Sequence, residues 1–293
     1  MFCKTLTNMQ KRKPEVVVIS DAHLGTYGCH AAELVQYLRS VEPKLLIING
    51  DFIDIWNFSK RYFPATHFEV IKEVMNMAGN GTRVIYITGN HDELLRRYSD
   101  LQLGNFSITD KVVMEIDGKM CWIFHGDVFD ATTKGSAKML AKLGGKGYDL
   151  LILMNRMMNW CLNLLGREKM SFSKKVKNSV KKAIKWVGDF ELTAAELAIE
   201  KKYDYVICGH IHQPQKREMV TPKGKVIYLN SGDWVENLTS LEYENGDWNI
   251  HAFDLKTFEH IRMKKEKPGL NVITEEVMLY MHSLAAGHVK KAI

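Results

Sequence analysis

The sequence predicts an α/β fold in which two sheets pack face to face with helices outside, a four-layer αββα sandwich with a helical insertion. Three observations predict it. Short β-branched apolar runs recur, each closing on a polar segment that contains glycine. Helical periodicity separates the first three runs, giving strand–helix–strand order. From residue 224 onward the pattern changes to closely spaced strands, the signature of antiparallel pairs that finish a second sheet.

The elements follow in order. EVVVIS runs into DAHLG, KLLII into NGDFID, RVIYI into TGNHD, CWIF into HGD and YVIC into GHIH. Helical patterns cover Ala31 to Val41 and His67 to Ala78. VIYLNSG, TSLEYE and WNIHAFD supply the late strands, with Asn245-Gly246 as a turn between the last two. Residues 131–190 read as two or three helices, and Val176, Val180, Ile184 and Val187 form one apolar stripe among lysines with Trp186 on its margin. A further amphipathic helix is expected over about Val272 to Lys290, within an extension spanning 265–293, so the catalytic domain is expected over 15–264 with the 131–190 insert inside it.

Composition narrows the class. With 46% hydrophobic residues in 293, the chain can bury a substantial core. Cys3, Cys29, Cys121, Cys161 and Cys208 contain no CxxC pair and are odd in number, as expected of reduced thiols in a cytosolic protein. The N-terminal MFCKTLTNMQKRKP lacks the apolar core of a signal peptide, so export is not expected. The most apolar window, Tyr148 to Leu165, carries Asn155, Asn159 and Asn163 along one helix face, a polar stripe suited to touching a membrane rather than crossing it. Net charge is +6, but residues 131–190 hold 13 Lys and Arg against 3 Asp and Glu, a local +10 that marks an insert with its own partner.

Candidate chemistry gathers at the strand ends, where ligand groups collect in parallel α/β sheets. The inventory there is Asp21 and His23, Asp51 and Asp54, Asn90 with His91 and Asp92, His125 with Asp127, and His210 with His212. His210 and His212 stand two apart, the spacing that points two side chains to one side of an extended backbone. Carboxylate, imidazole and one amide without thiolate suit Mn²⁺ first, with Fe²⁺ or Zn²⁺ as alternatives. So many donors exceed one tetrahedral ion, which points to two divalent metals sharing a carboxylate, an arrangement suited to in-line displacement at phosphorus.

In this motif series, DAH, GDFID, GNHD, HGD and GHIH, the sequence resembles the calcineurin-like metallophosphoesterase superfamily from about Val16 to Glu244. The resemblance implies that Asp21, His23, Asp51 and His212 hold the first metal, and that Asp51, Asn90, His125 and His210 hold the second. It also implies that His91 faces the scissile phosphate as a hydrogen-bond or proton donor, its ring fixed by Asp92 or a backbone carbonyl. Asp54 reads equally as the support of a ligand histidine or as a helix N-terminal carboxylate, and Asp127 likewise. His67, Arg96, Arg97 and His30 are candidates for the mouth of the site, the first three for substrate contact; Asp233 in NSGDWVEN reads as a site-edge or a turn residue.

Within the superfamily, SDAHLGTYGCHAAEL, GDFIDIWNF, the basic insert after HGDVFD, and ICGHIHQP with SGDWVEN are most similar to the UDP-2,3-diacylglucosamine pyrophosphohydrolase group of lipid A synthesis. That resemblance implies a helical lid for acyl chains, a lipid-like nucleotide-sugar substrate cut to UMP and a lipid monophosphate, and peripheral work at the cytoplasmic face of the inner membrane. The insert suits this, because apolar stripes accommodate acyl chains and each lysine near an anionic surface contributes about 1 kcal/mol. One position departs: the best-known members of that group carry Arg where this chain has His91, and GNHD is general to members acting on nucleotides, nucleic acid and phosphoproteins. A nucleotide or nucleic-acid phosphodiesterase is the alternative, although the insert's lysines lack interleaved aromatics beyond Trp160 and Trp186. A non-catalytic scaffold is a further alternative, opposed by the complete ligand set.

Overall fold

The computed structural model of the chain describes residues 11–56, 62–132 and 172–255. It divides into two compact units, residues 1–126 with 198–293, and residues 127–197. The basic segment 131–190 falls within the second. Its part from 133 to 171, and the helix expected over 272–290, lie outside the described residues.

Within the first unit, β1 (Val16–Ile19), β2 (Leu45–Asn49), β3 (Arg83–Ile87) and β5 (Phe106–Thr109) run parallel in one sheet. The short β4 (Gln102–Leu103) closes one edge, while β11 (Thr239–Glu244) and β12 (Asp247–Ala252) close the other, in the order β12-β11-β1-β2-β3-β5-β4. The second sheet has the order β6-β7-β8-β10-β9, from β6 (Lys111–Ile116), β7 (Lys119–Phe124), β8 (Tyr205–Cys208), β9 (Gln215–Thr221) and β10 (Gly224–Asn230). Its three central strands are parallel and its two edges antiparallel. The α/β class expected of the sequence is therefore what the chain forms.

Four strands, β4, β5, β6 and β9, go beyond those the apolar runs predict. All are edge strands or neighbours of an edge, and β9 reads QKREMVT, with four of its seven residues exposed. Such strands need no continuous apolar run, because only one face or neither is covered.

The alternation of side chains along the strands assigns each its layer. Val17 and Ile19 of β1, Leu46 and Ile48 of β2, and Val84 and Tyr86 of β3 enter one core, which also holds Leu34, Tyr37 and Leu38 of α1 (Ala31–Ser40) and Val70, Val74 and Met77 of α2 (Ala65–Gly79). The intervening residues, Val16, Val18, Leu45, Ile47, Ile85 and Ile87, enter a second core with Cys121, Ile123, Tyr205, Ile207 and Leu229 of the other sheet. The strands are apolar on both faces because both faces are covered. These two cores build three of the four expected layers in the first unit. The long helix α3 (Phe172–Glu200) belongs almost wholly to the second unit, where Phe190 meets the rings of Phe129 and Trp186. Among the described residues no helix is long and apolar enough to cross a membrane.

Leu46 and Ile47 are both fully buried, one in each core. Leu46→Ala and Ile47→Ala are each expected to cost about 2–5 kcal/mol in urea unfolding. A cost near zero for either would show that one face of the first sheet is open to water.

Candidate metal centre

The carboxyl ends of β1, β2 and β3 meet those of β7, β8 and β10 at one edge of the sandwich. The loops there are stitched together by backbone bonds. Asp21 N–H donates to Gly50 O at 3.1 Å, His23 N–H to Asp51 O at 3.0 Å and Leu24 N–H to Phe52 O at 2.8 Å, so pairing of β1 with β2 continues past the sheet. Bonds also cross between the sheets, among them Asn49 Nδ2, which donates to Phe124 O at 3.1 Å, and His125 Nδ1, which lies 2.9 Å from Asn49 O. A carbonyl only accepts, so His125 carries its proton on Nδ1 and turns Nε2 toward the site, 3.3 Å from Asp51 Oδ2.

The backbone at these positions is unusual. Asp21, His23, Asp51, His210 and His212 have φ of 52°, 51°, 50°, 66° and 55°, in the left-handed region that side chains other than glycine enter at a cost. Gly50 has φ +80°, and a Cβ there would overlap the His125 ring. At Gly89 a Cβ would overlap the Asp51 carboxylate. The glycines of GD and GN are therefore needed for close approach.

Three groups of side chains present ligand atoms within 4.8 Å of one another: Asp21, His23 and His212; His23, Asp51 and His91; and Asp51, His125 and His210. Asp51 and His23 are each shared by two groups. Asn90 Oδ1 is buried and meets no hydrogen-bond donor among the described residues, a costly position for an amide oxygen unless a cation takes it. Six of the seven sequence-predicted ligands thus converge in these groups, and the seventh has a buried, unmatched acceptor oxygen. The donor set of carboxylate, imidazole and amide suits divalent cations.

Electrostatics point the same way. Burial raises the Asp21 carboxyl, but His212, with Nε2 3.2 Å from Asp21 Oδ1, outweighs it and brings its pKa down to about 2. Asp51 is likewise lowered: burial opposes, and the His125 and His23 imidazoles prevail. Burial lowers the His212 pKa, yet the charge of Asp21 prevails and raises it to about 9. Ionised carboxylates that draw protons onto adjacent histidines are a trap for positive charge, and a divalent cation competes for the same place.

His91 is supported differently from the sequence expectation. Its Nδ1 lies 3.1 Å from Asp54 Oδ2, and its Nε2 lies 4.0 Å from Asp51 Oδ2. Burial works against its charged form, but Asp54 and Asp51 prevail and its pKa is raised. Asp54 Oδ2 also stands 3.6 Å from His23 Nδ1, so one buried carboxylate faces two imidazoles. Asp92, expected to fix the His91 ring, is instead a loop anchor: its carboxylate accepts N–H bonds from Gly89 and from Phe52, and the Tyr86 hydroxyl. Those three donors occupy both of its oxygens.

His67 is a second correction. It sits on the core face of α2, is buried, accepts the Gly25 N–H on Nδ1 at 2.8 Å, and packs against Phe63 and Tyr62. Burial lowers its pKa to about 4, and it belongs to none of the three metal-binding groups. Arg96 and Arg97 lie on the 3₁₀ helix Glu93–Tyr98; Arg96 stands 4.0 Å from Asp110, and Arg97 lies over the Tyr98 ring. His30 faces Glu33 of its own helix at 3.5 Å. Trp56 was not a sequence candidate: it is half exposed, with its ring 5.4 Å from that of His91. Its only sequence signal is its place two residues after Asp54.

The family model for calcineurin-like phosphoesterases matches residues 14–214, a span holding every one of these groups. The chain belongs to the calcineurin-like phosphoesterase family. As a member it is a metal-dependent phosphoesterase, in a family that uses a dinuclear divalent metal site. It is similar to the UDP-2,3-diacylglucosamine hydrolase of Ectopseudomonas mendocina (strain ymp), 24% identical over 82% of this chain and 98% of the relative. The enzyme of the same name from Porphyromonas gingivalis is 28% identical over 45% of this chain and 53% of its own length. Among solved structures it is similar to an archaeal phosphodiesterase, 16% identical with a TM-score of 0.39 over 81% of this chain and 98% of the other.

For His67 the depressed pKa, about 4 against an ordinary 6.5, means the fold holds it neutral. Its contribution to stability is complete above about pH 6.5 and is lost as pH falls toward 4, on the order of 3 kcal/mol in all. His67→Gln is expected to flatten that part of the urea-midpoint profile between pH 7 and 4. An unchanged profile would mean that His67 titrates as it does in water.

Proposed function

We propose that this phosphoesterase is a dinuclear-metal hydrolase that cleaves the pyrophosphate of UDP-2,3-diacylglucosamine, giving UMP and 2,3-diacylglucosamine 1-phosphate. The observation that carries the hydrolase reading is the clustering of ligand atoms around Asp51, shared between neighbouring groups. Asp21, His23, Asp51 and His212 would hold one cation, and Asp51, Asn90, His125 and His210 the other, with Mn²⁺ favoured and Fe²⁺ or Zn²⁺ as substitutes. When bound, the cations supply Lewis acidity toward the phosphoryl oxygens and lower the pKa of water.

The chain's own groups do the rest. Asp54 Oδ2, 3.1 Å from His91 Nδ1, favours the charged imidazolium, which carries a proton on each ring nitrogen and so holds one on Nε2 toward the centre. From there His91 donates to a phosphoryl oxygen as charge develops and delivers its proton to the departing phosphate oxygen. Where the lipid-cleaving group carries a permanently charged Arg, this chain has a carboxylate-supported imidazole, which can transfer the proton that a guanidinium keeps.

Support for the lipid substrate comes from two sources. The relatives that match over most of the chain are hydrolases of UDP-2,3-diacylglucosamine by name. The sequence of 131–190 combines lysines with apolar stripes, the composition expected of a lid and of peripheral attachment to the cytoplasmic face of an inner membrane.

Asp51→Ala is expected to lose metal and abolish turnover, while His91→Ala retains both metals and slows turnover by roughly 10²–10⁴. Metal analysis beside initial rates checks both; loss of metal from His91→Ala would make His91 a ligand, consistent with its place beside His23 and Asp51. For the substrate, the protein with Mn²⁺ is incubated with UDP-2,3-diacylglucosamine, generic phosphodiesters and RNA, and products are read by mass. Release of UMP is the expected result, and preferential RNA cleavage would replace the lipid reading with a nuclease. Flotation with anionic liposomes is expected to require residues 131–190; undiminished flotation without them would remove the insert's membrane role.

A further inference from the structure

His212 is held less by packing than His23, His91 or His125. Its side chain is 36% exposed, against 11% for His23 and 0% for His125. It stands in a short loop after β8, in left-handed backbone, and its ring must nevertheless keep Nε2 aimed at the place where Asp21 and His23 converge. What restrains it comes from a third segment, the turn after β10.

In that turn Asp233 is fully buried. Its Oδ1 accepts the N–H groups of Val235 at 2.8 Å, Glu236 and Asn237 at 3.1 Å, which forms the turn. Its Oδ2 is directed elsewhere, 3.7 Å from His212 Nδ1 and 2.6 Å from Asn237 Nδ2. The same Asn237 amide donates to His212 O at 2.9 Å. One residue on, Trp234 N–H donates to Asp21 O at 3.2 Å. The turn therefore bonds the backbone of His212, from the second sheet, and of Asp21, from the first, and sets the Asp233 carboxylate behind the His212 ring.

We infer that Asp233 and Asn237 form a clasp that positions His212 against Asp21 and thereby sets the cation affinity of the Asp21–His23–His212 group, separately from the Asp51–His125–His210 group. The inference rests on the two-cation reading above. Asp233 and Asn237 are positioning residues; neither offers an atom to the cation. A carboxylate behind a ligand imidazole holds its tautomer and raises its basicity, and its loss typically costs 10–100-fold in metal affinity. A carboxylate that only capped the turn would leave affinity untouched once the turn had formed, because Asn at position 233 still offers one oxygen to the three N–H groups.

The test is Mn²⁺ binding by equilibrium dialysis to the full chain stripped with EDTA, together with melting temperatures of the stripped proteins. Wild type is expected to bind two Mn²⁺. Asp233→Asn is expected to weaken one of the two by 10–100-fold, leave the other unchanged and melt within a few degrees of wild type when metal-free. Asn237→Ala, which keeps the carboxylate and removes only the two amide bonds, is expected to weaken the same site several-fold. Combining Asp233→Asn with His212→Ala is expected to be no weaker than His212→Ala alone, since the clasp acts only through that ring. Wild-type affinity at both sites in Asp233→Asn or in Asn237→Ala overturns the inference, as do additive losses in the double variant. If Asp233→Asn fails to fold, Asn237→Ala decides alone. Wild type that binds fewer than two Mn²⁺ instead overturns the reading of the site on which the clasp depends.

Discussion

The centre depends on a backbone constraint. Five of the residues that bring ligand atoms together, Asp21, His23, Asp51, His210 and His212, sit in left-handed conformation. Each such residue costs on the order of 1 kcal/mol or more, and none of the five is glycine. The surrounding bonds hold them there. The β1 and β2 loops pair residue by residue beyond the sheet, the His91 N–H donates to Asp51 Oδ1 at 2.7 Å, and the His210 N–H donates to Asp21 Oδ2 at 3.1 Å. The pairs Asp21/His23 and His210/His212 stand two apart and would share a side even in an extended chain, but their backbone is left-handed, so the loops rather than a continuing strand aim them. The site is strained because convergence requires it, and the two cores beneath the loops keep the strain in place.

Charge is managed by the same loops. Asp21 and Asp51 remain ionised in a buried place because imidazoles stand around them, and those imidazoles are oriented in turn by groups one step further out. Asp54 faces His23 and His91, Asn49 O faces His125, and Asp233 faces His212. Each histidine with a named supporter presents its other nitrogen inward. The result is a concentric arrangement in which Asp233 also structures its own loop, so that loop geometry and ligand geometry are hard to alter separately there.

The central strands were legible in the sequence because their burial on both faces leaves continuous apolar runs: VVVI, LLIIN and YVIC need no alternation to be recognised. The edge strands were not, since β9 carries its charges outward and β6 alternates over only six residues. At the site, the five motif clusters fell at strand ends as expected. The supporting groups were ambiguous for a physical reason: a carboxylate after a strand looks the same whether it caps a turn or backs a histidine, and Asp233 does both. Asp54 and Asp92 illustrate the limit. Both follow a strand at the centre, yet Asp54 turns to the imidazoles while Asp92 satisfies three donors of its own loop, and only the course of the backbone separates them. His67 misled because a histidine near the start of an amphipathic helix reads as solvated until a partner such as the Gly25 amide is seen.

The ligand groups are contributed by both sheets, and this has a mechanical consequence. Asp21 and His23 ride on the first sheet, His125, His210 and His212 on the second, and the layer between them is packed from apolar side chains, with polar ties such as Ser20–Ser231 and Asn49–Phe124 O near the site. Packed apolar layers resist separation better than they resist sliding, because shear can exchange one set of contacts for another. Cations bridging the two edges would act as rivets against that shear, so that sliding of the sheets, even by a fraction of a side chain, would first be felt as a change in coordination.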